Sequence, residues 1–311
     1  MPGIIKRQVW ISMLKMPCST VVGFFTLAIG ALFSHGFSSQ EMIINQSENQ
    51  SMELLGHKLV GSGNEKVLVM HNWVGDSTSY DPLLPYLDVE NFTYLFIDLR
   101  GYGRSKDWRG TYSVDEVCTD AMKLVNFLGW DNFHVIGHSM CGLVAQKIAL
   151  DNSGRVKSVI AITPVPACGS PAPKEVMDFL TSVALDNDDN AVECVNLLTG
   201  RRYANVFAQK MVRDWRSCST SEARLGYLDM FSNTDFSAAV KGLTTSMLVL
   251  YGEHDFEGTE AILRNTFLNW YPNAQMECCK ASGHYPMQET PVNLASSIEK
   301  FLLSHCKVMV K

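Results

Sequence analysis

The run Phe133-His-Val-Ile-Gly137-His138-Ser139-Met140-Cys141-Gly142 changes character at its serine. Before Ser139 it is a continuous apolar stretch with strand propensity, and after it the spacing opens a helix. Small residues on both sides of a serine at such a junction allow a sharp, strained turn that lifts the hydroxyl out of the backbone. The N–H groups of the first helical turn have no carbonyl one turn back to bond, so they favour negative charge developing nearby. The Met140 amide is thus a natural oxyanion donor. Taken alone, the pattern could equally be a chance Gly-x-Ser in an ordinary strand–helix turn.

Outward from this turn, short β-rich runs alternate with amphipathic helices. Strands are expected at Val67–His71, Phe92–Leu99, Val156–Thr163, Met247–Tyr251 and Gln275–Cys279. Most are nearly continuous apolar runs and not alternating ones, as parallel strands covered on both faces should be. Ser113-Val-Asp-Glu116 reads as a capping box, and Val117, Ala121, Leu124, Val125 and Leu128 mark one helical face behind it. Thr290 and Pro291 fit the first positions of a last helix. Strand–helix alternation of this kind means an α/β class protein: a mostly parallel central sheet flanked by helices. Residues 168–245 break the rhythm, with helical patterns (Tyr203, Phe207, Trp215 and Met230 among them) and no convincing strand. A loop of that length is a strange connection inside a compact sheet, so an inserted helical cap is expected there. The core is then residues 53–167 plus 246–311.

In an open α/β sheet, residues just beyond the carboxyl ends of strands share one crevice. Four such ends carry chemistry. His71-Asn72-Trp73 closes one strand in a turn where a second amide, that of Trp73, can join the oxyanion site. Asp98-Leu-Arg-Gly101-Tyr-Gly103-Arg-Ser105 closes the next. Gly252-Glu253-His254-Asp255 places carboxylates past a later strand, and Gly283-His284 places an imidazole past the last.

These four segments, in this order, resemble the α/β-hydrolase fold superfamily over about residues 58–305, and within it the serine-nucleophile hydrolases and esterases that carry a helical cap. The resemblance implies Ser139 as nucleophile, His284 as general base and acid, and Asp255 as the carboxylate that orients the histidine. It also implies an oxyanion hole at Met140 and Trp73, with Asn72 in the turn. Glu253 is the competing carboxylate. Two departures stand out. Cys141 occupies a position that is usually glycine; it reads as a packing residue, with Gly142 relieving the crowding. Asn72 replaces another glycine and is expected to keep the turn by tolerating left-handed backbone. The implied activity is hydrolysis of a carboxylic ester or lactone of a small, largely apolar acid through an acyl-enzyme. Carbon–carbon bond hydrolysis, thioester cleavage, perhydrolysis, aminopeptidase activity, acyl transfer or ligand sensing with little turnover stay open, because fold does not fix function. A serine at the nucleophile position disfavours dehalogenase and epoxide-hydrolase chemistry, which uses an aspartate there.

The rest of the composition narrows the classes. The chain has 311 residues, 46% of them hydrophobic and 19% charged, which excludes a disordered or fibrous protein. Its net charge of −6 argues against a nucleic-acid partner. Gly61-Ser-Gly63-Asn-Glu-Lys66 precedes a strand instead of opening a helix, so it reads as a turn and not a phosphate loop. No Cys-x-x-Cys or Cys/His ligand spacing occurs, so no metal and no cofactor are expected. Eight of the nine cysteines lie beyond Cys18 in spacings that form no disulfide framework. Residues 1–52 form a leader and polar linker. Lys6, Arg7 and Lys15 precede an apolar run from Val21 to Phe33 that rises only about 20 Å as a helix, short of a bilayer core of about 30 Å. That fits a signal peptide and export to a periplasm or medium, with a membrane anchor as the rival. A start at Met52 would instead leave the protein cytoplasmic. The expected partner is a small acyl substrate, with N-terminal membrane contact if the leader anchors; oligomeric state is not legible.

Overall fold

The structure is a computed structural model and describes residues 53–306. Its centre is a seven-stranded sheet: β1 (His57–Val60), β2 (Glu65–Met70), β3 (Phe92–Ile97), β4 (Phe133–His138), β5 (Val156–Ile162), β6 (Ser246–Gly252) and β7 (Ala274–Cys279). The spatial order is β1-β3-β2-β4-β5-β6-β7, and every pairing is parallel except β1 with β3. All six residues of β3 and of β4 are buried, which is why both read as nearly continuous apolar runs. The edge strand β1 is short and half-exposed, and its four residues carry no alternation that would have announced it.

Helix α1 (Val114–Phe127) starts at Ser113, whose hydroxyl accepts from the Glu116 amide, while the Glu116 carboxylate takes the Thr111 and Tyr112 amides. Helix α2 (Met140–Asp151) follows Ser139 and packs on β4 and β5. Between β5 and β6 the chain is helical: α3 (Lys174–Ala184), α4 (Asp188–Leu198), α5 (Asn205–Cys218), α6 (Ser221–Asn233) and the short α7 (Ser237–Val240). Helices α8 (Thr259–Trp270), α9 (Pro286–Glu289) and α10 (Pro291–Ser304) complete the order. Pro291 opens α10 as expected, but Thr290 does not cap it through its side chain. Its Oγ1 is buried without a partner, so the start of α10 rests on proline's fixed φ and on the Thr290 carbonyl, which accepts from Leu294 N–H at 3.1 Å. Gly61 and Gly63 form a turn lying against the backbone of residues 89–92, with no room for a Cβ.

The strand order fixes where a site can form. From β2 the chain steps to β3 on one side and then crosses to β4 on the other. The connections leaving the carboxyl ends of β2 and β4 therefore diverge and open a crevice between them. His71 follows β2 there and Ser139 follows β4. The leader residues lie outside the described ones. Among the described residues no helix is long and apolar enough to cross a membrane.

Candidate active site

Ser139 has φ 54° and ψ −114°, a left-handed backbone that few non-glycine residues adopt. Such a conformation costs about 1–3 kcal/mol and persists only where its surroundings enforce it. Three backbone bonds do so: Ser139 N–H donates to Ile162 O (2.8 Å), and Ser139 O accepts from Gly142 (2.8 Å) and Val165 (2.9 Å). The small residues have steric causes. A Cβ on Gly137 would sit 2.0 Å from the Cys141 carbonyl oxygen. One on Gly142 would meet Pro164 Cβ at 2.3 Å, so Gly142 makes room for the loop after β5. Cys141 is fully buried, and burial pushes its thiol well above the ordinary range. It is a packing residue with no thiolate to offer.

His284 reaches both expected partners. Its Nδ1 lies 2.9 Å from Asp255 Oδ2 and its Nε2 2.9 Å from Ser139 Oγ. A carboxylate only accepts, so Nδ1 carries the proton, and Nε2 is left to accept from the serine hydroxyl. The Asp255 side chain is 1% exposed, and its other oxygen accepts from the Phe256 amide at 2.8 Å. Glu253 points elsewhere: its carboxylate takes the Ala281 amide (2.9 Å) and Lys280 Nζ (3.0 Å). The His254 N–H donates to Ser282 O, so the loops after β6 and β7 interlock. His138 is buried beside His284, and its Nε2–H donates to the His284 carbonyl at 2.8 Å. Burial, reinforced by the neighbouring His284, holds His138 well below the usual imidazole range and hence neutral.

The turn after β2 is braced from beneath. His71 is fully buried and its pKa is lowered by that burial, so the ring is neutral. Its Nε2 accepts from the Leu99 amide (3.1 Å), which leaves Nδ1–H to donate to Asn72 O (2.7 Å). Tyr102 hydroxyl donates to Trp73 O and its ring packs 4.9 Å from His71. Asp98 is bonded by the Ser77 amide (2.9 Å) and by the Arg104 amide and guanidinium (3.0 and 3.1 Å). A Cβ on Gly103, at φ 48°, would clash with that carboxyl group. The segment Asp98–Ser105 is thus the scaffold of the turn. Asn72 does not adopt left-handed backbone. It keeps the turn by another route, its Oδ1 accepting from the Val74 (3.2 Å) and Gly75 (2.6 Å) amides. Trp73 Nε1–H donates to Arg224 O (2.7 Å) on α6, which anchors the indole. The Met140 amide is the first of α2.

Ser139 and His284 open onto a pocket of about 700 Å³, mouth included. Its walls are apolar: Val74 and Val165 from the loops after β2 and β5, Leu180, Leu198, Trp215 and Phe231 from α3–α6. Trp215 lines it. Tyr203 and Phe207 do not, and stack on each other 4.6 Å apart. One grouping escaped the sequence reading because its members come from β2, β4 and the last turn. Glu65, His134 and Cys306 bring possible metal-ligand atoms within 4.8 Å of one another. Lys157 already sits on the Glu65 carboxylate there, so a cation is in place.

A family model described as the alpha/beta hydrolase fold matches residues 66–273. The chain belongs to the α/β-hydrolase family. Similar members include a non-heme haloperoxidase of Rhodococcus erythropolis, 26% identical over 243 residues that span 70% of this chain and 88% of the relative. A bifunctional esterase/perhydrolase of Acinetobacter calcoaceticus is 29% identical over 200 residues, 60% of this chain and 72% of its own. A pimeloyl-acyl-carrier-protein methyl ester esterase of Klebsiella pneumoniae is 28% identical over 211 residues, 63% and 77% of the two chains. Among solved structures, an esterase from Exiguobacterium antarcticum superposes with TM-score 0.70 at 17% identity, covering 80% of this chain and 95% of its own. The protein is therefore a hydrolase-family enzyme whose relatives are esterases, haloperoxidases and other hydrolases.

Proposed function

We propose that this protein is a serine esterase or lactonase acting on small, largely apolar acyl groups through an acyl-enzyme on Ser139. The observation that carries the reading is the bonded chain Ser139–His284–Asp255 at the base of an apolar pocket. Ser139 Oγ attacks the acyl carbonyl carbon while its proton passes to His284 Nε2. The new oxyanion sits against the Met140 and Trp73 amides, each such donor contributing about 3 kcal/mol to the transition state. Collapse breaks the ester bond, and the leaving alkoxide takes the proton from His284. Water then gives a proton to His284 and attacks the acyl-enzyme, which frees the acid and restores the hydroxyl. Asp255 fixes the tautomer throughout and stabilises the imidazolium. Helices α3–α6 act as the cap, with Leu180, Leu198, Trp215 and Phe231 limiting the acyl chain.

The test is a stopped-flow series of p-nitrophenyl esters from acetate to decanoate, with lactones alongside. A burst equal to one p-nitrophenol per chain, absent in Ser139→Ala, supports the reading; turnover that survives Ser139→Ala overturns it. A second reading, acyl transfer to hydrogen peroxide, is favoured by similarity to the Acinetobacter relative, a bifunctional esterase/perhydrolase. It uses the same acyl-enzyme and is distinguished by peroxide-dependent peracid formation.

A further inference from the structure

Glu289 and Arg202 lie outside the three side chains described above, yet both are directed at the His284 loop. Glu289, at the end of α9, has a side chain with no solvent exposure. One of its oxygens accepts from the Gly283 amide at 2.8 Å and the other from the Tyr285 amide at 2.9 Å. The carboxylate therefore grips the residues immediately before and after His284. Arg202, from the turn between α4 and α5, ion-pairs with the same carboxylate. Its remaining guanidinium groups donate to Ala281 O (2.8 Å) in the histidine loop and to Thr199 O (3.0 Å) in its own turn. The end of α4 also touches the loop: His284 N–H donates to Leu198 O (2.8 Å). A Cβ on Gly283 would lie 2.4 Å from that oxygen. Ala281 meanwhile holds φ 55°, a strained conformation that needs enforcement.

We propose that Glu289, with Arg202 as its counterion, is a positioning residue that sets the imidazole of His284 between Asp255 and Ser139. Through Arg202 the clamp ties the helices that line the acyl pocket to the histidine they cover. The proposal rests on the serine-hydrolase reading. The chemistry requires a carboxylate. A carboxamide has one accepting oxygen, so it can serve only one of the two amides and turns N–H toward N–H at the other. It also strips a mostly buried guanidinium of its anion.

The test uses the full chain with Glu289→Gln, Arg202→Met and Arg202→Lys, and Ser139→Ala in parallel. Activity is expressed per serine labelled by a fluorophosphonate, so that misfolded molecules do not count. The downfield proton NMR signal of His284 Nδ1–H, identified by its loss in His284→Gln, reports the imidazole without needing turnover. The clamp predicts that folded Glu289→Gln and Arg202→Met lose about 10- to 100-fold in kcat per labelled site. KM should stay within about threefold, the downfield proton should broaden or vanish, and Arg202→Lys should recover most of the loss. Melting alone, with kcat per labelled site and the proton signal unchanged in these variants, overturns it. Should Glu289→Gln fail to fold, Arg202→Met decides by the same readouts. If Ser139→Ala keeps activity, the hydrolase reading fails, while the proton signal still decides the positioning claim.

Discussion

Asp255→Asn is the perturbation whose consequence the structure fixes most tightly. Asp255 Oδ1 already accepts from the Phe256 amide at 2.8 Å. The carboxamide of the variant would place its carbonyl oxygen there and its NH₂ toward His284 Nδ1. That geometry reverses the imidazole tautomer, puts the proton on Nε2 and turns a donor toward Ser139 Oγ. The serine proton then has no acceptor. With the Asp255 side chain 1% exposed, water cannot step in as a substitute. Loss of the correct tautomer at an otherwise intact triad lowers kcat about 10⁴-fold, roughly 5 kcal/mol of transition-state stabilisation. Glu253→Gln is the internal control, since its carboxylate bonds Ala281 and Lys280 and does not contact His284. It should change kcat by less than about threefold, in keeping with the small worth of exposed ion pairs. The assay is the pre-steady-state burst rate on p-nitrophenyl acetate at fixed pH, with melting curves to confirm that both variants fold. A loss below about tenfold in Asp255→Asn, or a larger loss in Glu253→Gln, would refute the assignment of the acid.

The same geometry sets three further outcomes. Asn72→Ala removes the acceptor for two amides of the turn, so kcat should fall about tenfold or more, in proportion to the 1–3 kcal/mol of an unsatisfied buried group, with KM little altered in a steady-state assay. Trp215→Ala deepens the apolar pocket and should move the optimum of an ester series toward longer acyl chains; an unchanged chain-length profile would remove Trp215 from the pocket's function. His134 is depressed to about 4, chiefly by burial and then by Lys157. Its folded value lies below its unfolded one, so its stabilisation is complete above about pH 6.5 and drains away as pH falls toward 4. It amounts to up to about 3 kcal/mol. Urea midpoints measured from pH 8 to 4 should show this loss, and His134→Gln should flatten it.

How much was legible in the chain follows physical lines. The five inner strands announced themselves because two-sided burial favours nearly continuous apolar runs, and Phe133–His138 begins and ends as read. β1 did not, because an edge strand of four half-exposed residues needs no such pattern. Ser139, Asp255 and His284 were readable as a group because strand ends in an open sheet converge whatever their separation in sequence. The sequence identified Asn72 as keeping the turn but misjudged how, since a side chain accepting two amides leaves no trace in composition. Glu289 and Arg202 were missed outright. A carboxylate five residues past a histidine looks like any helix-end charge, and only the folded loop shows which amides it holds.

The most direct test of the central claim is peptide mapping of protein quenched during turnover of a p-nitrophenyl ester. One acyl group per chain, carried on the Ser139 peptide, should accumulate in wild type and be lost in Ser139→Ala. An acyl group on any other residue, or steady hydrolysis with Ser139 unmodified at every quench time, would contradict it.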